Sequence, residues 1–161
     1  VALWFRPDAD PTSRRILSKN DSYMVIFDWG DPRAVELLVK PDNALTESKT
    51  SEWDIGRWYH FAGTFDGARL RVYLDGLLEA GHELTTPIAP STLDLWIGAD
   101  DFGRATDFFQ GAIDDVRIYN AALDGAAIES LAMGEEVAVR SEGNLASVWA
   151  ALRSNTRSAD R

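Results

Sequence analysis

Aromatic rings beside turn residues are the first feature of this sequence that could support ligand chemistry. Trp29 and Trp53 each stand next to Gly or Asp at the end of a predicted strand. The flat apolar face of an indole can stack on a sugar ring while polar neighbours bond the hydroxyls. We therefore expect both residues to contact a carbohydrate, with packing under a loop as the alternative. Trp4, Trp58 and Trp96 fall within strands and are interpreted as core or second-layer packing.

A short acidic loop carries the second group of candidate binding residues. Asp100, Asp101 and Arg104 lie between two predicted strands, and loops of this kind often carry binding residues. Their side chains could hold sugar hydroxyls or a calcium ion. The alternative is a solvated turn whose carboxylates accept hydrogen bonds from the local backbone. The spacing does not match an EF-hand loop.

The histidines do not indicate catalysis. His60 and His82 are the only imidazoles, and the chain has no Cys. A metal site with several His ligands, a thiolate metal site and a Cys nucleophile are therefore excluded. No Gly-x-Ser-x-Gly segment or phosphate-binding glycine loop accompanies them. His60 lies in the middle of a strand, and we expect it to be packed or hydrogen-bonded.

The charge balance limits the partners. The 161 residues carry a formal net charge of −10, which disfavours phosphate backbones and anionic lipid. No apolar run approaches the about 20 residues that a membrane-spanning helix needs. We expect neither nucleic acid nor membrane insertion. The chain starts at Val1 inside an apolar stretch, with no readable targeting signal, so we expect a truncated N-terminus.

Short strands broken by Gly, Pro, Asn and Asp fill the chain up to about Tyr119, which is typical of a sandwich or barrel. Asp66-Gly67 and Asp75-Gly76 predict two-residue turns with positive φ, and hence a three-strand meander. The predicted strands are 1–6, 15–19, 23–29, 34–40, 45–51, 57–65, 70–74, 93–98 and 111–119.

The strand between the two Asp-Gly turns alternates in polarity. Leu70, Val72 and Leu74 point to one side. Arg71 and Tyr73 point to the other. One face of this antiparallel sheet is therefore expected to be dry and the other solvated.

A short helix is predicted after the last strand. Asp124 can cap residues 125–133, and Gly134 can end them. We expect residues 1–134 to form one domain and residues 135–161 to form an extension. Within the extension, residues 144–153 carry apolar side chains at helical spacing. This segment could pack on the sandwich, dock a partner or belong to a linker.

Several segments occur in a recognisable order and spacing. They are Val1 to Pro7, Trp58 to Ala62, Phe65-Asp66-Gly67, Leu70 to Gly76, Ile97-Gly98, Phe109 to Asn120 and Ala122-Leu123. Together they resemble the laminin-G-like jelly-roll family of the concanavalin A-like lectin/glucanase superfamily, over about residues 1–133. The resemblance implies an all-β fold, a two-sheet antiparallel β-sandwich with a short C-terminal helix. It also implies a strand preceding Val1, and relatives that bind glycans or proteins and often hold calcium.

The resemblance points to two acidic positions. Asp114 is similar to an Asp that holds a structural calcium ion in laminarinase-type glucanases, and carboxylate oxygens suit calcium. The alternative is that Asp114 bonds nearby backbone. Glu52-Trp53-Asp54 resembles the start of the catalytic motif of those glucanases, but Arg57 stands where the acid/base Glu should be. A single remaining carboxylate cannot perform glycoside hydrolysis.

We interpret the chain as a non-catalytic module that binds a glycan or an extracellular protein, with calcium as a candidate stabilising ion. Its location is expected to be extracellular or at the cell surface, and its oligomeric state is left open. One alternative is a polysaccharide hydrolase or lyase, which requires a carboxylate pair or a Tyr/His/Arg cluster in one groove. The other is a spacer or adhesion domain without a small ligand.

Overall fold

The computed structural model describes residues 1–11, 14–27, 33–101 and 105–135. These residues form twelve strands and one helix, α1 (Gly125–Ala132). The strands are β1 (Ala2–Pro7), β2 (Arg15–Lys19), β3 (Tyr23–Phe27), β4 (Val35–Val39), β5 (Ala44–Glu47), β6 (Tyr59–Phe65), β7 (Arg69–Leu74), β8 (Leu77–Glu83), β9 (Leu95–Ile97), β10 (Asp100–Asp101), β11 (Ala105–Thr106) and β12 (Gly111–Arg117).

The strands build two five-stranded sheets and a small hairpin. Sheet I has the order β12-β1-β6-β7-β8, and sheet II has the order β5-β4-β3-β2-β9. Strand β10 pairs with β11 beside them. The strand neighbours within each sheet run antiparallel. The predicted all-β jelly-roll sandwich, with a short helix after its last strand, is therefore confirmed.

The core lies between the two sheets, because every second side chain of a strand points to the same face. Sheet I contributes Phe5 and Phe61, and sheet II contributes Phe27 and Leu37, all at most 3% exposed. Phe5 contacts Phe27 edge-on, with ring centroids 5.5 Å apart. Gly63 makes room for Leu37, since a Cβ at Gly63 would lie 2.7 Å from Leu37 Cδ2.

The meander predicted from the Asp-Gly pairs is confirmed, since β6, β7 and β8 are consecutive neighbours in sheet I. Asp75 and Gly76 have φ angles of 47° and 84° and form the predicted two-residue turn. The other connection is longer, because residues 66–68 separate β6 from β7. There the Asp66 carboxylate accepts hydrogen bonds from the amides of Ala68 and Arg69, at 2.9 and 2.7 Å.

Helix α1 has the predicted capping residues. The Asp124 carboxylate accepts a hydrogen bond of 2.9 Å from the Ala127 amide, and Gly134, with a φ of 79°, follows the last turn. Within the described ranges, no helix is both long enough and apolar enough to span a lipid bilayer.

The helix covers part of the outer face of sheet I. Ile128 and Leu131 are buried against Ala2, Ala62 and Tyr73. The small alanine side chains on β1 and β6 allow the helix to approach the sheet closely. Tyr73 is consequently 6% exposed. The prediction that Tyr73 lies on a solvated face is wrong, because α1 covers that part of the sheet.

Several predicted strands, including those for 34–40, 57–65 and 93–98, are longer than the observed ones. The strand predicted for 45–51 ends at Glu47, and the amides of Lys49 and Thr50 donate to the Glu79 carboxylate instead of to a strand. The strand predicted for 111–119 ends at Arg117. The predicted helix at 144–153 lies outside the described residues, and the domain boundary after residue 134 stays a prediction.

Candidate functional site

A largely apolar row crosses the outer side of sheet II. The antiparallel register places Ser18 of β2 between Trp96 of β9 and Met24 of β3. Met24 is opposite Leu38 of β4, which is opposite Leu45 of β5. We call these five residues the platform. With neighbouring strands about 4.8 Å apart, the platform is about 19 Å long.

The platform is accessible to solvent. Leu45 is 42% exposed, and Trp96, Met24 and Leu38 are partly exposed. Ser18, inside the row, is buried, and its hydroxyl forms no hydrogen bond within the part of the chain that the structure describes. Partly exposed apolar side chains grouped on one face, with none of the described elements packed over all of them, are typical of a binding surface.

A polar row runs beside the platform. Arg15, Ile26, Glu36 and Glu47 are in register on β2, β3, β4 and β5. Arg15 Nε lies 3.1 Å from Asp100 Oδ2, and both side chains are almost completely buried. This ion pair attaches β10 to β2. Glu36 and Glu47 are directly opposite each other, a position in which Cβ atoms are about 5 Å apart.

Trp53, one of the two predicted sugar-binding tryptophans, packs against the core. Its ring centroid lies 5.3 Å from that of Phe27 and 4.9 Å from that of Tyr59. Its indole Nε1 donates a hydrogen bond of 2.8 Å to the Arg33 carbonyl. Trp53 therefore has the packing role that was the alternative, and its contact with a sugar stays a prediction.

The other predicted sugar-binding residues are either buried or not fully described by the structure. Asp100 is 0% exposed, and Arg15 occupies its carboxylate. Asp101 belongs to β10, but its side chain is not described. Trp29 and Arg104 lie outside the described residues. Their binding roles stay predictions.

Asp114, the predicted calcium ligand, lies on β12 in sheet I, opposite Trp4 of β1. It is exposed, and its Oδ1 accepts a hydrogen bond of 2.8 Å from the Asp115 amide. Among the described side chains, no group of three or more His, Asp or Glu converges on one point. Calcium takes about 6–8 oxygen ligands, and these residues alone do not supply such a set. Calcium binding stays a prediction.

His60 is a buried side chain on the outer face of sheet I. It is 2% exposed, and its ring centroid lies 5.2 Å from that of Trp4. Burial lowers the pKa of His60 to about 4, although the Asp75 and Asp115 carboxylates favour its protonated form. The imidazole is therefore neutral near pH 7. The prediction that His60 is a packed strand residue is confirmed.

The segment that resembles a catalytic motif forms a loop before β6. Glu52 and Asp54 are exposed there. Arg57 binds the Asp75 carboxylate at 2.8 Å and approaches that of Asp54 at 3.9 Å. Arg57 thus makes ion pairs with neighbouring carboxylates at the position where the glucanase motif has its acid/base Glu.

A cleft of about 210 Å³ opens between the two sheets, away from the platform. Tyr23 and Leu37 line it from sheet II, Thr64 lines it from sheet I, and Ile88 and Tyr119 contribute from connecting segments. The lining includes core-facing residues of the two sheets, so the cleft is an opening into the space between the sheets.

The family model Laminin_G_3, of the concanavalin A-like lectin/glucanases superfamily, matches residues 1–129. The chain belongs to this superfamily. Among curated proteins, none matches it significantly.

Solved structures of the same fold share little sequence with this superfamily member. A candidate carbohydrate-binding protein from Bacteroides ovatus is 17% identical, with a TM-score of 0.68 over 80% of this chain and 38% of that chain. The CBM40 of the Ruminococcus gnavus IT-sialidase is 11% identical, with a TM-score of 0.65 over 81% and 80%. Domain 4 of the extracellular arabinanase AbnA from Geobacillus stearothermophilus is 20% identical, with a TM-score of 0.61 over 81% and 64%. Such low identities show a common fold.

The sequence analysis did not predict the platform as a binding surface. A signal for it is nevertheless present in the strands of sheet II. Runs of three apolar residues in Met24-Val25-Ile26 and Leu37-Leu38-Val39 cannot place every side chain in one core, because successive residues point to opposite faces. Trp96 lies on the outer face of its strand, and Trp58 is 37% exposed. Neither tryptophan belongs to the inter-sheet core, which was one of the two predicted roles, and second-layer packing stays a prediction.

Proposed function

We propose that this chain is a non-catalytic glycan-binding module whose ligand lies on the platform. The observation that carries the proposal is an open row with the Trp96 indole at one end and Leu45 at the other. The apolar face of a sugar ring can stack on an indole, and thioether and aliphatic side chains extend the contact. Carboxylates near the row can accept hydrogen bonds from sugar hydroxyls.

The structural neighbours support a glycan as the ligand. The Ruminococcus gnavus CBM40 has been solved with α2,3 and α2,6 sialyllactose, and AbnA domain 4 has been solved with arabinotriose. The arabinanase is extracellular and larger than its domain 4. We extend this context to the present chain and propose a module of a larger secreted or surface protein.

The decisive experiment is a glycan array, followed by titration calorimetry with the best ligand. Trp96→Ala is expected to lower affinity at least about tenfold, because aromatic anchors carry much of the binding energy at such sites. Trp58→Ala is the matched control. Trp58 is also partly exposed, but it lies directly before β6 of sheet I, where the Arg6 guanidinium stacks over its indole ring. Equal losses in both variants would contradict the platform assignment.

An array without any glycan ligand would favour the alternative of a spacer or adhesion domain. In that case the platform could contact an extracellular protein, which pull-down with candidate partner ectodomains would detect. Loss of that protein contact in Trp96→Ala would show that the platform is the binding surface but that its ligand is a protein.

A second candidate function is glycoside hydrolysis on the same face. The observation that favours it is the cross-strand carboxylate pair of Glu36 and Glu47, since retaining hydrolysis uses two carboxyl groups about 5–5.5 Å apart. Glu36 is buried, whereas Glu47 is exposed. Release of reducing ends that is abolished in Glu47→Gln would establish catalysis. Glycan binding without release of reducing ends would exclude hydrolysis of that glycan and support the non-catalytic module.

Calcium is a separate proposal that rests on Asp114. Thermal unfolding with excess calcium and then with a chelator tests it, because an ion that binds the native state raises the melting temperature. A rise that disappears in Asp114→Asn supports calcium at this position. The same rise in the variant would place the ion elsewhere.

A further inference from the structure

We infer that the platform selects uncharged glycans and discriminates against glycans that carry carboxylate or sulfate groups. The inference rests on the proposed function, because it specifies the class of ligand at that site. The likeness to solved structures does not predict this selectivity, since the Ruminococcus gnavus CBM40 has been solved with sialyllactose, which carries an acidic sugar.

Each end of the platform carries an exposed carboxylate. Asp94 precedes Trp96 by two residues, and Glu47 follows Leu45 by two residues on the same face of β5. Neither forms an ion pair within the described ranges. Both charges therefore act on any ligand that covers the row.

The described guanidinium that lies in register beside the platform already has a partner. Tight recognition of an anionic sugar commonly uses an Arg fork that holds the ligand carboxylate in two parallel hydrogen bonds. Arg15 is the arginine in register beside the platform, but it is 6% exposed and its Nε is bound to Asp100. A ligand could engage Arg15 Nε only by separating a buried ion pair, which leaves an uncompensated buried charge.

Two lysines at the ends of β2 and β4 are also engaged. Lys19 Nζ donates to the Leu93 carbonyl, and Lys40 Nζ donates to the Asn43 side chain. The exposed carboxylates of Asp94 and Glu47 can accept hydrogen bonds from an uncharged sugar, and they repel an anionic sugar.

Matched glycan pairs test the inference. Each pair shares a neutral core and differs by one acidic sugar, as lactose and sialyllactose do. The neutral member is expected to bind at least about tenfold more tightly, and higher salt should narrow the difference by screening the repulsion. Asp94→Lys combined with Glu47→Lys should raise binding of the acidic members about 3- to 10-fold.

Glu129→Lys is the matched control for the charge reversals, because Glu129 is exposed on α1, over the opposite sheet. A gain in the platform variant that is absent from Glu129→Lys would show a local charge effect. Acidic glycans that bind wild type as tightly as neutral ones, in a manner that depends on Trp96, would overturn the inference and leave the proposed function intact. Absence of any binding that depends on Trp96 would overturn both.

Discussion

The two outer faces of the sandwich are built from the same kind of alternating strand, yet helix α1 packs on one of them, whereas several large apolar side chains on the other stay partly exposed. On sheet I, Ala2 and Ala62 leave space for α1, which buries Tyr73. On sheet II, the larger side chains of Met24 and Leu38 stay partly exposed. Small residues on one face thus create a docking surface for the protein's own helix, whereas large apolar residues on the other stay partly exposed, which is the surface of the proposed binding site.

The faces also differ in how they hold charge. Sheet I buries a neutral imidazole, His60, without a partner for its Nδ1 among the described residues. Sheet II buries an ion pair, Arg15 with Asp100, beside the platform. Burial of an unpaired charge is costly, so each face buries a group that is neutral or neutralised. Four changes probe this contrast.

Breaking the buried ion pair should have the largest effect. Arg15→Ala is expected to lower the free energy of unfolding by about 3–5 kcal/mol, because Asp100 would stay buried without its counter-ion. Urea denaturation measures the loss. The double variant Arg15→Ala/Asp100→Asn should recover part of it. Arg69→Ala is the control, since its pair with Glu83 is exposed and should contribute less than about 1 kcal/mol.

Weakening the helix contact should come next. Ile128→Ala removes a side chain that is 1% exposed and should cost about 2–5 kcal/mol by loss of burial and formation of a cavity. Faster amide exchange around Tyr73 would accompany it. Met133→Ala, at the exposed end of α1, should change stability little. Similar losses in both variants would contradict the proposed covering role of the helix.

Acid should destabilise the sheet I face through His60. Its pKa lies at about 4 in the folded chain against an ordinary value of 6.5, so the unfolded chain takes up the proton first as pH falls. Above pH 6.5 the imidazole is neutral in both the folded and the unfolded chain, so it has no effect on the free energy of unfolding. Between pH 6.5 and pH 4 the free energy of unfolding decreases by up to about 3 kcal/mol, because only the unfolded chain is protonated. The decrease should be smaller in His60→Gln. An unchanged slope in that variant would assign the acid sensitivity to other groups.

Changing the open platform should have the smallest effect on stability. Leu45→Thr is expected to shift the free energy of unfolding by less than about 0.5 kcal/mol, because Leu45 is 42% exposed on an edge strand. Leu37→Thr, one strand away and facing the core, should destabilise the chain strongly. A large loss in Leu45→Thr would mean that another part of the chain packs on the platform.

Local sequence features determine much of this fold. Asp75-Gly76 encodes its turn because both residues tolerate positive φ, and Asp124 with Gly134 delimits α1 because they satisfy exposed backbone groups. The alternation of Leu70, Val72 and Leu74 predicts the inner face of β7. These features act over a few residues, so they can be recognised without the rest of the chain.

Contacts between distant segments decide which outward-facing residues are covered. The sequence placed Tyr73 correctly outside the inter-sheet core, but only the packing of α1 buries it. Asp100 belongs to an acidic loop by sequence, but Arg15, 85 residues away, neutralises it. Trp96 differs from Trp53 only in its surroundings: an outer face for the first, and the Phe27 and Tyr59 rings for the second. Strand periodicity assigns a side to each residue, whereas exposure depends on what the folded chain brings to that side.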